Sequence, residues 1–170
     1  LRLLDYVSLM APFWHVFGRL GCFAAGCCFG RPASLPWAVR FTDPKSMVPE
    51  EFLGAPLHPT QLYEAGGDLV IFLALFFLVL PRIEKGRLDA MRPSPAASVP
   101  RLPRRGLAPG SLSALYFAAY AVLRFFTEYH RGDVVAGPLG LTAGQGISLA
   151  LFAAGAALMV WSRARSCTRS

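Results

Sequence analysis

The amino-acid sequence predicts an all-α protein threaded through a membrane, and three observations carry that prediction. First, 54% of the 170 residues are hydrophobic and the mean hydropathy is +0.44, well above a soluble domain of this length. Second, four apolar segments, about Tyr6–Phe29, Tyr63–Leu80, Pro109–Phe126 and Leu139–Trp161, approach or reach the roughly 17–25 residues that cross a bilayer as helix. Third, the net charge of +7 falls mostly on the connections between those segments. About four transmembrane helices are expected in one membrane domain over residues 1–170, with a short extended segment in the first outward loop.

The first segment begins close to Leu1, and no charged n-region or small-residue cleavage site precedes it. It therefore reads as a span and not as a signal peptide. With no initiator Met, the chain is expected to be a portion of a larger protein. Within this segment, Gly18, Cys22, Gly26 and Gly30 recur every four residues. Small residues at that period let helix backbones approach closely in lipid, so Cys22 reads first as a packing residue. The sharper alternative pairs Cys22 with Cys27 or Cys28 for metal or redox chemistry. The Cys-x4-Cys-Cys spacing lacks the two-residue gap of zinc knuckles, and no second ligand cluster follows, so no metal is expected.

Arg19 interrupts the same segment one turn after His15. A charged side chain at mid-membrane costs about 2.5–3.5 kcal/mol on insertion scales. It is tolerated where it meets an anionic partner, an internal ion pair or water. His15 reads first as a hydrogen-bonded packing residue and second as a proton acceptor.

The loop after Gly30 balances Arg31, Arg40 and Lys45 against Asp43, Glu50 and Glu51. Its alternating Trp37, Val39 and Phe41, set among turn residues, predict a short strand or extended segment at the membrane surface. The run LHPTQLYEAG follows, in which Pro59 marks entry into the second helix and Thr60 is a candidate cap. His58, Gln61, Tyr63 and Glu64 cluster at that entry. Alone, such a cluster reads as an interfacial belt; beside the arginine helices it can line a shared cavity.

The connection after the second segment holds Arg82, Lys85, Arg87, Arg92, Arg101, Arg104 and Arg105 against Glu84 and Asp89. Residues 82–108 are expected to form a flexible basic linker, rich in Pro, Ala and Arg. The tail adds Arg163, Arg165 and Arg169, whereas residues 127–138 carry Glu128 and Asp133 against Arg131. By the positive-inside rule the linker and the C-terminus are cytoplasmic, and the 30–62 and 127–138 loops face outward. Anionic lipid accounts for this basic charge, so no nucleic-acid partner is expected.

The third segment gives the clearest pattern. Tyr120, Arg124 and Glu128 are spaced i, i+4, i+8 and share one helix face. A local Arg124–Glu128 pair would lower the insertion cost. It would also orient the guanidinium so that its remaining N–H donors grip a phosphate. Two mid-span arginines on different helices thus point to a site for a lipid phosphate.

Three separated stretches, in order, resemble one family. GRLGCFAAGCCFGRPASLPWAVRF is similar to a Gly-Arg-x-Gly-Asn-Phe signature, the Gly-Arg that follows it and a Pro-Trp/Phe-Ala segment. LHPTQLYEA is similar to Arg-His-Pro-Ser-Gln-Leu-Tyr-Glu. YAVLRFFTEYHRGD with LTAGQGISL resembles a Tyr-x-x-x-Arg-x-x-x-Glu-x-x-Arg helix and a Met-Gly-Gln-x-Leu-Ser segment. These are the marks of the prolipoprotein diacylglyceryl transferases of bacterial inner membranes. The resemblance covers most of the chain and corresponds to the last four of the family's seven spans; the family's His-Gly-Gly segment would lie upstream of Leu1.

That resemblance implies transfer of the diacylglyceryl group from phosphatidylglycerol to the lipobox cysteine of preprolipoproteins. The partners implied are phosphatidylglycerol, preprolipoprotein signal peptides and membrane lipids, with no cofactor. It implies a multi-pass protein of the bacterial inner membrane with its site toward the outer face. Arg19, Arg124 and Glu128 take the catalytic positions. Substrate contacts are expected at Arg19, His58, Gln61, Tyr63, Tyr120 and Arg131. Gly18, Gly21, Phe23, Gly26 and Gly30 match the structural signature. Three positions depart: Cys22 and Ala25 stand where the family has Asn, and Cys27 where it has Glu. Two other readings stay open, a non-catalytic lipid-binding relative and a membrane thiol oxidoreductase using Cys22, Cys27 and Cys28.

Overall fold

The computed structural model describes residues 1–91, 107–135, 137 and 140–167. Four long helical runs overlap the four apolar segments. Helix α1 covers Arg2–Ala25. Helix α2, Thr60–Ala74, continues through a π-helical turn at Leu75–Val79 into α3, Leu80–Met91, without a break. Helix α4 covers Ser111–Glu128 and α5 covers Ala143–Cys167. At 1.5 Å per residue, 24 residues of α1 reach about 36 Å, longer than the roughly 30 Å hydrocarbon core. Two runs, Thr60–Lys85 and Ala143–Arg165, are long and apolar enough by themselves to cross a membrane. Helices α1 and α4 are each interrupted by the charged residues that, with Glu64 of α2, form the site. Residues 82–91 of the expected linker are helical, and residues 92–106 lie outside the described residues.

The distribution of side chains is that of a protein dissolved in lipid. Leu3, Val7, Trp14, Phe17, Val70, Phe77, Ile147 and Val160 are exposed. Asp5, Ser8, Gln61, Glu64, Asp68, Ser113, Glu128, Gln145 and Ser148 are buried. In water so much apolar surface would drive association; in a bilayer the polar groups are the ones that must turn inward.

Polar caps join the helices at both ends. Asp5, buried on α1, accepts from the backbone N–H of Gly110 at 2.7 Å and of Ser113 at 3.0 Å, and from the Ser113 hydroxyl at 2.9 Å. A carboxylate thereby meets the positive end of α4 and satisfies otherwise orphaned donors. The Tyr6 hydroxyl donates to Glu84 of α3 at 3.0 Å. An apolar core of Leu9, Leu75, Leu112 and Tyr116 closes the same end. Close packing also joins α4 to α5, where a Cβ on Gly155 would stand 2.9 Å from the Ala114 carbonyl.

At the opposite end the two loops expected to face one side meet each other. Gly30 pairs with Arg131 in an isolated antiparallel bridge. The Arg31 N–H donates to the His130 carbonyl at 2.8 Å, and the Gly132 N–H to the Phe29 carbonyl at 3.0 Å. The approach is so close that a Cβ on Gly30 would stand 2.9 Å from the His130 carbonyl oxygen, and it would also overlap His58. No regular strand forms among the described residues. The expected extended segment is reduced to Val39, which exchanges two backbone hydrogen bonds with Leu57 at 3.0 and 2.9 Å. Phe29, Val48 and Leu57 form a small core beneath it.

One local expectation needs correction, and a second is met only in part. Thr60 does not cap α2; its hydroxyl donates 2.7 Å across to the Cys28 carbonyl. Among the described residues the helical part of the small-residue face of α1 meets no neighbouring helix at Gly18. Among the described residues no atom comes within 4 Å of a Cβ built on Gly18 or Gly21. Gly26 and Gly30 lie beyond the helix, and Gly26, at φ 74°, ends it by donating to the Cys22 and Phe23 carbonyls.

Candidate active site

The buried acid Glu64, near the start of α2, holds both mid-span arginines. Its Oε2 pairs with Arg19 of α1, and its Oε1 accepts from Arg124 of α4 at 2.7 Å. Arg124 turns its other terminal nitrogen to Glu128 at 2.8 Å, the i,i+4 pair expected on that helix. The carboxylates are 3% and 2% exposed, whereas the guanidiniums are 19% and 18% exposed. The acids therefore form the back of the site and the cations its front. That order keeps the charged fork accessible to an incoming anion while the ion pairs offset the cost of burying it.

Helix α5 supplies the wall behind Glu128. The Thr142 hydroxyl donates to Glu128 Oε1 at 2.8 Å while accepting from the Gln145 N–H at 3.1 Å. Gln145 reaches back to accept from the Thr142 N–H at 3.0 Å. This reciprocal capping pair starts α5 and brings the helix's positive end onto the carboxylate. Gly144 is required there, because a Cβ would overlap the Glu128 carboxyl group.

Arg131 stands beside Glu128, at 3.9 Å, and is gripped by Asp133 through two hydrogen bonds of 2.9 and 2.6 Å. Burial works against its charge, but Asp133 foremost, with Cys28 and Glu128, more than offsets that, and its pKa stands above the ordinary arginine value. Its carbonyl accepts from Arg31 Nε at 3.0 Å. Arg19 has Glu64 as its one ion-pair partner, which leaves most of its five N–H donors without a protein partner among the described residues.

One turn deeper along α2 lies Asp68. It is fully buried, and neither oxygen has a hydrogen-bond partner among the described residues. His15 Nδ1 is 3.9 Å away. The His15 ring packs on Tyr120 at 5.1 Å between centroids, so Tyr120 lies on the same inner face as Arg124.

The entry cluster forms a relay of its own. Trp37 Nε1 donates to the Tyr63 hydroxyl at 2.8 Å, and that hydroxyl lies 3.2 Å from His58 Nδ1. The His58 ring stacks edge-on to His130 at 5.0 Å. Burial, and then the neighbouring His130, lower the His58 pKa from its ordinary 6.5. Gln61 is 1% exposed and donates to the Cys27 carbonyl at 2.7 Å, so in this structure it braces the Cys27 loop. Phe23 packs edge-on to Phe41 at 5.7 Å.

The structure thus brings Arg19, Arg124, Glu128 and Arg131 together, with Tyr120 on their inner side. Sequence reasoning missed the group that joins them. By sequence Glu64 belongs with the entry cluster, although the insertion argument applied to the arginines holds equally for an acid in an apolar run. It also missed Asp68, Thr142 and Asp133. The Thr-x-x-Gln spacing at 142–145 is the capping-box signal that would have located the start of α5.

Comparison with known proteins places these features in a family context. A family model described as prolipoprotein diacylglyceryl transferase matches residues 1–161. Three curated relatives, each named phosphatidylglycerol–prolipoprotein diacylglyceryl transferase, are similar to the chain. That of Zymomonas mobilis is 31% identical over 97% of this chain and 49% of its own length. That of Bordetella avium is 32% identical over 95% and 51%, and that of Clostridium tetani 34% identical over 88% and 49%. The chain spans about half the length of the curated relatives it matches.

Proposed function

The chain belongs to the prolipoprotein diacylglyceryl transferase family, and on that premise we propose that it takes part in transferring a diacylglyceryl group from phosphatidylglycerol to the lipobox cysteine thiol of a preprolipoprotein. The observation that carries the reading is the single carboxylate, Glu64, holding Arg19 and Arg124 from two other helices with their guanidiniums to the front.

The chemistry follows from charge. The cysteine thiol loses its proton, and the thiolate attacks the terminal glyceryl carbon. A carbon–sulfur bond forms as the carbon–oxygen bond to phosphate breaks, and the electron pair leaves with glycerol phosphate. Negative charge grows on the phosphate oxygens, where Arg19 and Arg124 act in a site of low dielectric. Glu64 and Glu128 hold those guanidiniums in position. Arg131 and Tyr120 extend the polar wall toward the headgroup. Tyr63 and His58, braced from behind by Gln61, line the entry. His15, next to Asp68, and His58 are the imidazoles available to take the thiol proton.

The proposed topology has four spans in the bacterial inner membrane with the site toward the outer face. The meeting of the 30–59 and 129–133 loops beside the arginines supports it. A reporter active only outside the cytoplasm should be active when fused near Glu50 and silent when fused after Arg165; the reverse pattern overturns the orientation.

The catalytic test uses the full-length protein in membranes, with labelled phosphatidylglycerol and a lipobox peptide. Arg19→Ala or Arg124→Ala should abolish transfer, and the amount of each variant found in the membrane is measured alongside, because each deletion leaves a buried carboxylate with one ion-pair partner fewer. Lysine should substitute poorly at both sites, since it is a point charge without a planar fork. Near-normal transfer in either alanine variant refutes the clamp. Lipid binding without transfer by the parent protein would favour a non-catalytic relative.

A further inference from the structure

The three cysteines that follow the arginine helix face come together. The chain leaves α1 at Ala25, turns at Gly26 and again at Cys28, whose φ of 58° is left-handed. The double turn brings the Sγ atoms of Cys22, Cys27 and Cys28 within 4.8 Å of one another. The loop that carries them is pinned from α2, by Thr60 on the Cys28 carbonyl and Gln61 on the Cys27 carbonyl, each at 2.7 Å. All three residues are half-buried, so an ion can reach them. Two of the three departures from the family pattern, at positions 22 and 27, are the ones that supply thiols to this cluster.

We propose that Cys22, Cys27 and Cys28 form a three-sulfur site for a soft monovalent cation, copper(I). Thiolates select copper(I), zinc or iron–sulfur clusters among biological metal groups, and zinc in structural sites and such clusters take four protein ligands. No fourth histidine, cysteine or carboxylate joins the three sulfurs among the described residues, which favours the ion content with three. With metal–sulfur bonds of about 2.3 Å, a planar site has its sulfurs roughly 4 Å apart, so small side-chain rotations close the observed spacing. Binding exchanges three thiol protons for one copper(I). The protons go to water, no electron moves, and the site gains two negative charges. Without a cation three thiolates so close repel one another, and one copper(I) among them offsets part of that repulsion. The assignment stands independently of the transferase reading.

The test uses full-length protein in detergent, free of oxygen, carrying Cys167→Ser so that the tail thiol does not contribute. Copper(I) is titrated against a chromophoric copper(I) chelator, and the thiols are then alkylated and counted by mass. One copper per chain, with three thiols protected from alkylation, is expected. Cys22→Ser and Cys28→Ser should each surrender that copper to the chelator, while the parent and both variants run as the same folded species in size-exclusion chromatography. The proposal is overturned if the parent yields all its copper to the chelator, or if a variant lacking all three thiols binds as the parent does. It is also overturned if zinc(II) is taken up in preference to copper(I), or if two of the three thiols are found as a disulfide and the reduced protein takes up no copper.

Discussion

Replacing Glu64 with Gln should cost more than any other single neutralisation in the cluster. The substitution keeps the volume and an amide that can accept one hydrogen bond, but removes the charge shared by Arg19 and Arg124. Breaking a buried ion pair by deleting one partner typically costs about 3–5 kcal/mol. The two guanidiniums are 19% and 18% exposed, so water screens part of the loss and the low end, about 3 kcal/mol, applies. The geometry also predicts an asymmetry. Arg124 keeps Glu128 at 2.8 Å when Glu64 is gone, whereas Arg19 loses its one ion-pair partner among the described residues. A double-mutant cycle should therefore give a coupling for Glu64–Arg19 about 1 kcal/mol larger than for Glu64–Arg124. Unfolding of the full-length protein in mixed micelles by increasing denaturing detergent measures both. A Glu64→Gln loss within about 0.5 kcal/mol, the range of neutral surface changes, would refute Glu64 as the hub. So would a coupling to Arg124 equal to or larger than that to Arg19.

Two further outcomes follow from the same geometry. Gly144→Ala should destabilise the protein by about 1–3 kcal/mol, the range for overpacking, because the added methyl group meets the Glu128 carboxylate; Gly146→Ala, with no atom within 4 Å of its Cβ, serves as the control in the same assay, and equal effects would sink the argument. His58 has its pKa lowered by burial and then by His130, so its contribution to stability is present above the unfolded value of 6.5 and is lost as the pH falls through the lower folded value. Acidification should therefore loosen the Trp37–Tyr63–His58 relay, read as a Trp37 fluorescence change in a Trp14→Phe, Trp161→Phe background. The change should vanish in His58→Gln, and its persistence there would assign the titration to another group.

Much of the architecture was readable one residue at a time, because a membrane imposes a local rule. Each span must be helical and apolar wherever it meets lipid, so composition along the chain locates the helices. An arginine that violates the rule identifies itself, as Arg19 and Arg124 do. The i,i+4 relation of Arg124 to Glu128 was equally legible, since it depends only on helical pitch. What required the tertiary structure is the pairing of groups distant in sequence. Glu64 stands 45 and 60 residues from the two arginines it holds, and nothing in its local run of LYEAG distinguishes a hub from an interfacial anchor. Asp5 caps α4 from 108 residues away. Gly144 reads as a weak point in a helix until Glu128 is seen to occupy the space its side chain would need. The cysteines show the same limit over a shorter span. Spacing alone did not bring Cys22 beside Cys27 and Cys28; the left-handed turns at Gly26 and Cys28 end the helix and fold the thiols together. Sequence thus located the apolar helices, though not the helical continuation over residues 82–91, and showed which charges need partners. Tertiary packing decided which partners they find, because an ion pair depends on distance in space and the order of residues along the chain constrains that only within a helical turn or two.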